Sequence, residues 1–379
     1  MKLKQEKDIN MIHSKIIHSI MDKRKSGKPV LGCFPLYPPV ELFTSMGILP
    51  IVLWNLKDSV EDLINSDKHI QNYACGIARE MVQFVISETN SLLDGLFSYN
   101  ACDTLRNIPE ILAFEYKKKN RLIPMLRMHV PQVNPNQTNP EEYLKNEISL
   151  LIKNTEEAFE TDFSPQKFAQ TVEKYTKMRT LCMEIEKNVA QGTLSFASFC
   201  NTVLFNYSLP IEDQILSLQK LKKKSTNKYA SNNKKVIVSG IMPPSPQIIK
   251  LMEEKGLIVV ANDIASLRRS YAYSPSITDD PTVFYSDFFL NRYPCTTLLY
   301  KTDERLDAFE KRIVQSDARG VILSGEKFCE YEYFEFPYLE KKLKEKGIPT
   351  LFIEFSVDDV ENIGAYVTRI EAFIEMLDN

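Results

Sequence analysis

Three cysteines sit where packing does not obviously require a thiol: Cys75, Cys102 and Cys329. Thiolates are soft ligands, suited to zinc, copper(I) or iron–sulfur clusters. Three of them with no nearby histidine or fourth cysteine would leave one metal position open, which a catalytic site can use and a purely structural site normally does not. The intervals of 27 and 227 residues between them are too wide for a local metal motif. Three buried thiols therefore remain an equal reading until a fold brings the residues together.

What favours the site is an internal repeat. A buried run, Asp94-Gly95-Leu96-Phe97-Ser98, leads into a polar turn carrying Cys102-Asp103. The C-terminal half repeats it as Gly320-Val321-Ile322-Leu323-Ser324, then Phe328-Cys329-Glu330. In both copies a proline of an Ile-Pro-x-Leu sequence, Pro124 or Pro349, lies 29 residues beyond the glycine. Apolar run, turn, helix and second apolar run is the order of a βαβ unit. Each cysteine would then stand at a strand's C-terminal end, where open α/β sheets bind ligands. A second repeat supports this. Val238-Ser239-Gly240-Ile-Met-Pro243-Pro-Ser-Pro246 matches Val30-Leu31-Gly32-Cys-Phe-Pro35-Leu-Tyr-Pro38, with glycine and both prolines in register.

The elements that must position these residues follow in order. Ile9, Ile12, Ile16 and Ile20 mark an amphipathic helix over about 8–24, with His13 and His18 read as surface histidines. Strands are expected at 29–31, 48–54, 94–98 and 122–128, a short helix from Val40 to Met46, and helices over 60–91 on either side of Cys75. Asn134 to Pro140 is a turn-rich boundary. Helical periodicity then dominates to about Leu221, carried by Leu144, Ile148, Leu151, Phe168, Val172, Tyr175, Met178, Cys182, Ile185 and Val189. The polar stretch 222–235 reads as a linker or loop. Strands return near 236–240, 257–261, 320–324 and 348–355, and a last helix presents Ile370, Phe373, Ile374 and Leu377 on one face. The expected organisation is an α/β protein: an N-terminal helix (1–27), a first α/β domain (28–135), a helical middle domain with linker (136–234) and a second α/β domain (235–379). Two parallel-sheet domains related by the repeat thus flank a helical one.

Length and composition set the remaining bounds. At 379 residues, 44% hydrophobic and 26% charged, the chain is an ordinary globular protein with room for two or three cores. A net charge of −3 and a pI near 6.0 give no global attraction to nucleic acid or to an anionic membrane. No apolar run is long enough to span a bilayer and no secretory leader is visible, so a cytoplasmic location is expected. Seven cysteines without CxxC do not form a secreted disulfide framework. Cys182 falls in an apolar helical stripe, and Cys200 and Cys295 have no chemical neighbour in sequence, so all three read as structural. No Gly-rich phosphate loop, Gly-x-Ser-x-Gly elbow or His-Glu-x-x-His pattern occurs, which speaks against ATP hydrolysis by this chain.

Several modules together resemble the 2-hydroxyacyl-CoA dehydratase and benzoyl-CoA reductase subunit family, in the manner of the 2-hydroxyglutaryl-CoA dehydratase D-component. They are Gly32 to Gly47 with Pro38-Pro39-x-Glu41-Leu42, Cys75-x3-Arg79, Cys102-Asp103, Phe328-Cys329, and Thr368-Arg-Ile-Glu-Ala-Phe-Ile-Glu-Met-Leu377. The resemblance covers about residues 28–130 and 235–379. It implies flavodoxin-like domains, a [4Fe-4S] cluster held by Cys75, Cys102 and Cys329, a related partner subunit, a separate ATP-hydrolysing activator that injects one electron, and an acyl-CoA substrate. The implied reaction is elimination of water from an (R)-2-hydroxyacyl-CoA through a ketyl radical; a benzoyl-CoA reductase-like subunit, or a non-catalytic electron relay, is the alternative. Two departures stand out. Where many members read Asp-Asp-Leu-Cys-x-Gly-x-Arg, this chain has Asn262-Asp-Ile-Ala-Ser-Leu-Arg-Arg269, which argues against the double-cubane relatives. Cys33 precedes the usual first-strand cysteine position and is left out of the ligand set. Tyr37 and Glu41 are candidates to face a substrate, although a first-turn acid is also what the helix dipole favours. Arg79 suits either a CoA phosphate or a surface ion pair.

Overall fold

The computed structural model describes residues 17, 20–22, 24, 25, 27–54, 56, 59, 60, 62–87, 92–133, 139–224, 234–297, 302–357 and 363–378. Most of the expected N-terminal helix, with His13 and His18, and the polar stretch 225–233 lie outside them.

All eight expected strands are present: β1 Val30–Cys33, β2 Leu49–Val52, β3 Gly95–Tyr99, β4 Met125–Met128, β5 Lys234–Gly240, β6 Leu257–Ile264, β7 Gly320–Glu326 and β8 Thr350–Phe355. They form two all-parallel sheets in the same order, β2-β1-β3-β4 and β6-β5-β7-β8. β1, β2, β3 and β7 are buried along their whole length. That is why they read as near-continuous apolar runs rather than alternating ones. The shared order matches the first four strands of a flavodoxin-like sheet, with its switch point between β1 and β3, and between β5 and β7.

The 29-residue repeat has a direct physical basis. Leu96 N–H donates to the Pro124 carbonyl at 2.9 Å, and Val321 N–H to the Pro349 carbonyl at 3.0 Å. Each glycine–proline pair therefore marks where two neighbouring parallel strands start in register. Both glycines also lie under a covering helix. A Cβ on Gly95 would stand 2.7 Å from Phe159 Cζ, and one on Gly320 would stand 2.6 Å from Leu377 Cδ2 and 2.7 Å from Phe373 Cζ.

Between the sheets run four helices, Glu141–Phe159, Pro165–Ala190, Phe196–Asn206 and Ile211–Lys222. The second braces both halves. Arg179 pairs with Glu41 of the first half, while Glu186 accepts from Tyr271 OH (2.9 Å) and pairs with Arg268 of the second. One apolar cluster accordingly runs from Val30 and Phe97 through Phe168 and Phe199 to Ile353 and Phe373.

Two expectations differ from the structure. Ahead of Cys75 the described backbone forms only a 3-10 turn, Ser66–Lys68, because Gln83 Oε1 accepts from Asn65 N–H (2.8 Å) and Ser66 N–H (3.0 Å) and removes them from helix bonding. Between β6 and β7 the chain builds helices Arg268–Tyr271, Pro281–Asn291 and Thr302–Ser316, which were not among the expected elements. In Pro281–Asn291 the side chains of Phe284, Tyr285, Phe288 and Phe289 are all buried, so no polar face sets a period.

Behind the ends of β5 and β6, Asp263 is fully buried and accepts from Arg269 Nη2 at 2.8 Å and from Arg305 Nη1 and Nη2 at 2.7 and 2.6 Å. Burial opposes its charge, but the two guanidinium groups hold its carboxyl well below the usual range.

Three substitutions should separate these contributions to stability. Gly320→Ala should cost about 1–3 kcal/mol by overpacking against Leu377 and Phe373, as a shift of the urea midpoint would show. Asp263→Asn leaves two buried guanidinium groups without their carboxylate and should cost about 3–5 kcal/mol. Breaking the exposed Lys250–Glu254 pair should cost less than about 1 kcal/mol in the same assay.

Candidate functional site

Parallel strands hand over to helices at their C-terminal ends, and all three candidate cysteines occupy the first positions of such helices. Cys102 is the N-cap of Asp103–Lys118, three residues beyond the end of β3. Cys329 is the N-cap of Glu330–Glu345, three residues beyond the end of β7. Cys75 is the N-cap of Gly76–Ile86. The Cys102 sulfur takes the ordinary role of a capping oxygen and accepts from Leu105 N–H at 3.3 Å. These three thiols are half-buried, whereas Cys33, Cys182, Cys200 and Cys295 are buried.

The fold brings the three cysteines within electrostatic reach of one another. Burial pushes the Cys75 thiol up, with Cys102 the next cause; burial pushes Cys329 up, with Glu332 and then Cys75 behind it. Cys102 is pushed up to about 11 by burial, against the helix N–H groups of Leu105 and Thr104. Among the described residues no group of three His, Cys, Asp or Glu side chains stands in metal-holding geometry, so the thiols are neighbours and not a closed ligand shell.

The residue that ties the two halves together here was not visible in sequence. Glu326, the last residue of β7, is fully buried. Its Oε1 accepts from Gly76 N–H at 3.0 Å, 250 residues away, and its backbone carbonyl accepts from Cys329 N–H at 2.9 Å. One glutamate thus holds the start of the Cys75 helix against the turn that carries Cys329. Glu332 lies beside it, accepting from Glu326 N–H at 2.8 Å and from Ile241 N–H. Burial pushes its carboxyl up to about 8. The residue before Cys329, Phe328, has φ 65°, a left-handed conformation that few non-glycine residues adopt. Across the cleft Gln132 Nε2 donates to Tyr331 OH at 3.2 Å, a second link between the halves.

Tyr37 and Glu41 lie elsewhere. Both line a cleft with about 830 Å³ of empty space, its mouth included, together with Tyr175, Arg179, Asn206 and Tyr285 and with none of the three cysteines. Glu41 is half of a buried ion pair with Arg179 and also accepts from Tyr285 OH at 2.9 Å. Tyr37 OH donates to Cys295 Sγ at 3.2 Å. Arg79 forms a forked pair with Asp67, Nη2 to Oδ1 at 2.9 Å and to Oδ2 at 3.0 Å. This is the ion-pair alternative of the two weighed for it.

Among the described residues no helix is long and apolar enough to cross a membrane. Comparison with known proteins gives consistent relatives. The chain is 24% identical over 375 residues to the (R)-phenyllactyl-CoA dehydratase beta subunit of Clostridium sporogenes, covering 98% of this chain and 97% of that one. It is 27% identical over 364 residues to the (R)-2-hydroxyglutaryl-CoA dehydratase beta subunit of Acidaminococcus fermentans, covering 93% and 94%. To a benzoyl-CoA reductase subunit of Thauera aromatica it is 22% identical over 337 residues, covering 87% and 86%. The family model described as 2-hydroxyglutaryl-CoA dehydratase, D-component, matches residues 35–377, which takes in every strand but β1 and all three cysteines, and the chain belongs to that family.

Proposed function

We propose that this chain is one subunit of an enzyme that eliminates water from a 2-hydroxyacyl-CoA thioester, and that Cys75, Cys102 and Cys329 hold a [4Fe-4S] cluster. The observation that supports the reading is that three half-buried N-cap thiols, drawn from both halves of the chain, lie within electrostatic reach of one another, with Glu326 bonded to the helix start of one and the turn of another. Their chemistry fits such a group. Burial first, and then the thiols' nearness to one another and to Glu326 and Glu332, keep these thiols protonated, and a cationic iron core would offset both. Each thiol stands at the positive end of its helix, which favours the thiolate form.

When bound, a cluster with three thiolate ligands supplies low-potential one-electron chemistry and leaves one iron open to exchange. The chain's own part is to bind and orient. Glu326 and the Gln132–Tyr331 contact keep the two sheet edges at a fixed separation. The half-buried setting of the thiols limits water around them. The reading includes a related partner subunit, an acyl-CoA substrate and a separate ATP-hydrolysing activator as the source of the electron.

Two measurements test it. Protein purified without oxygen should contain iron and acid-labile sulfide and show broad visible absorption. Cys102→Ser and Cys329→Ser should abolish that absorption, while Cys182→Ser, altered inside the buried stripe of Pro165–Ala190, should keep it. Equal loss in all three variants would show that the thiols act through folding alone. The isolated chain should not dehydrate a 2-hydroxyacyl-CoA; addition of the related subunit, the activator, a reductant and Mg-ATP should start turnover. Turnover by the chain alone, without iron or reductant, overturns the reading.

A further inference from the structure

Cys295 differs from the other fully buried cysteines in what surrounds it. Its Sγ receives Tyr37 OH at 3.2 Å and Arg269 Nη1 at 3.5 Å, and lies 3.3 Å from Thr297 Oγ1. A neutral thiol is a weak acceptor with one proton to give. Donors from three residues around one sulfur suit a thiolate instead. The guanidinium group of Arg292 stacks on the Tyr37 ring, 4.6 Å from its centroid, and is anchored by its Nη2 to the Thr297 carbonyl at 2.7 Å. The groups facing the sulfur are therefore Tyr37, from the turn after β1, and Arg269, Arg292 and Thr297 from the segment between β6 and β7. Tyr99 at the end of β3 and Cys33 at the end of β1 border the same pocket, and Asp263, Glu335 and Arg305 lie behind Arg269.

Burial pushes the Cys295 thiol up, but Arg269 and Arg292, with hydrogen bonds from Thr297 and Tyr37, outweigh it and hold the group at about 6. The Tyr37 hydroxyl moves the other way, raised by burial and then by the charge on Cys295. The pair thus rests as O–H···S⁻. Tyr37 also lines the cleft described above, and it does so from a backbone φ of 55°, a conformation that persists in a non-glycine residue only where its surroundings impose it. Two other groups lining that cleft, Arg179 Nε and Asn206 Oδ1, are buried without a hydrogen-bond partner among the described residues. A donor and an acceptor left open in this way suit the carbonyl and hydroxyl of a ligand, and Trp54, Val203, Leu218 and Phe288 supply apolar wall for its chain.

We propose that Tyr37 and Cys295 form a proton-transfer dyad in the wall of this cleft, where the cleft takes the acyl part of the substrate. For its substrate the proposal rests on the dehydratase reading. As the acidified C–H bond of the acyl chain breaks, its electron pair stays on the substrate and its proton forms a new O–H bond on Tyr37. The former Tyr37 proton passes to Cys295 Sγ and forms an S–H bond. One proton moves from substrate to sulfur, no electron enters or leaves the protein, and the reverse shift resets the pair. Tyr37 is the catalytic residue; Cys295 acts through it, and Arg269 and Arg292 act by keeping the sulfur charged.

The first test is the thiolate's ultraviolet absorption in the full chain, followed against pH and taken as the difference from Cys295→Ser. The midpoint should fall near 6 and rise in Tyr37→Phe, which removes one hydrogen bond to the sulfur. Because the folded thiol is held below its unfolded value, the stability it contributes is full above the ordinary thiol range and declines as pH falls toward about 6. Cys295→Ser should flatten that slope. The second test uses the assembled, activated complex: each variant should lower kcat by about 100-fold, remove the acid limb of the kcat profile and leave KM within about twofold. Tyr37→Phe keeps the ring and so decides the matter even if Cys295→Ser folds poorly. An ordinary thiol titration overturns the dyad and leaves the dehydratase reading standing. A thiolate as described, with both variants at the unaltered kcat, overturns the proton transfer. No dehydration by the unaltered complex overturns the dehydratase reading, and the substrate assigned to the dyad with it.

Discussion

A parallel sheet delivers the C-terminal ends of its strands to one edge, and each end must hand its chain to the positive end of a helix. Two such sheets with the same strand order place two such edges in one molecule, and the positions of Cys102, Cys329 and Tyr37 follow from that constraint. Cys102 and Cys329 each start the helix after the third strand of their sheet, and Tyr37 lies in the turn after the first. Those two turns flank the switch point of a flavodoxin-like order, where no helix covers the edge and a ligand can enter. Cys102 and Tyr37 thus stand at the switch point of the first sheet and Cys329 at that of the second.

Facing edges do not fix their own separation. Here it is set by buried polar groups with long reach. Glu326 extends from β7 to the helix of Cys75, Arg179 from the helical brace to Glu41, and Glu186 from the same brace to Arg268. Each is a charge that water no longer stabilises, so each is held to its partner by the cost of leaving it alone. Apolar contacts would permit the halves to slide. Directional bonds to Gly76 N–H or to Tyr285 OH tolerate far less displacement. The same reasoning applies to Asp263, which fixes Arg269 and Arg305 and through Arg269 the surroundings of Cys295.

The strands and the repeat were legible in the sequence because they rest on local rules: short apolar runs, proline and glycine at register points, and the constant interval from glycine to proline. The matching places of Cys102 and Cys329, each at the start of the helix after the third strand of its sheet, were legible through the same repeat. The segment 262–319 was not: Pro281–Asn291 buries four aromatic rings and loses the polar face that would reveal a period, whereas the amphipathic pattern of Thr302–Ser316 was present in the sequence and missed. Glu326 and Cys295 were missed for a different reason. Their importance comes from partners 250 and 258 residues away, Gly76 and Tyr37, and no periodicity records such distances. Cys295, with no chemical neighbour in sequence, therefore read as structural, which its burial fits and its arginines do not.

The contrast between Cys75 and Cys295 shows how neighbouring charge divides one residue type between two kinds of chemistry. Each precedes the helix that leads into the third strand of its sheet, Gly76–Ile86 before β3 and Thr302–Ser316 before β7. Around Cys75 the nearest ionisable groups are Cys102, Glu326 and Glu332, all of which oppose a negative sulfur. Burial adds the larger part of the opposition, and a bound cation would offset both. Around Cys295 the cations are already part of the protein, as Arg269 and Arg292. Its thiolate needs no metal and is left with a proton as the species it can accept, by way of Tyr37, which bonds the sulfur and lines the cleft. The twin sheets supply similar places for a thiol, and the side chains packed around each place decide whether it is suited to an iron core or to a proton.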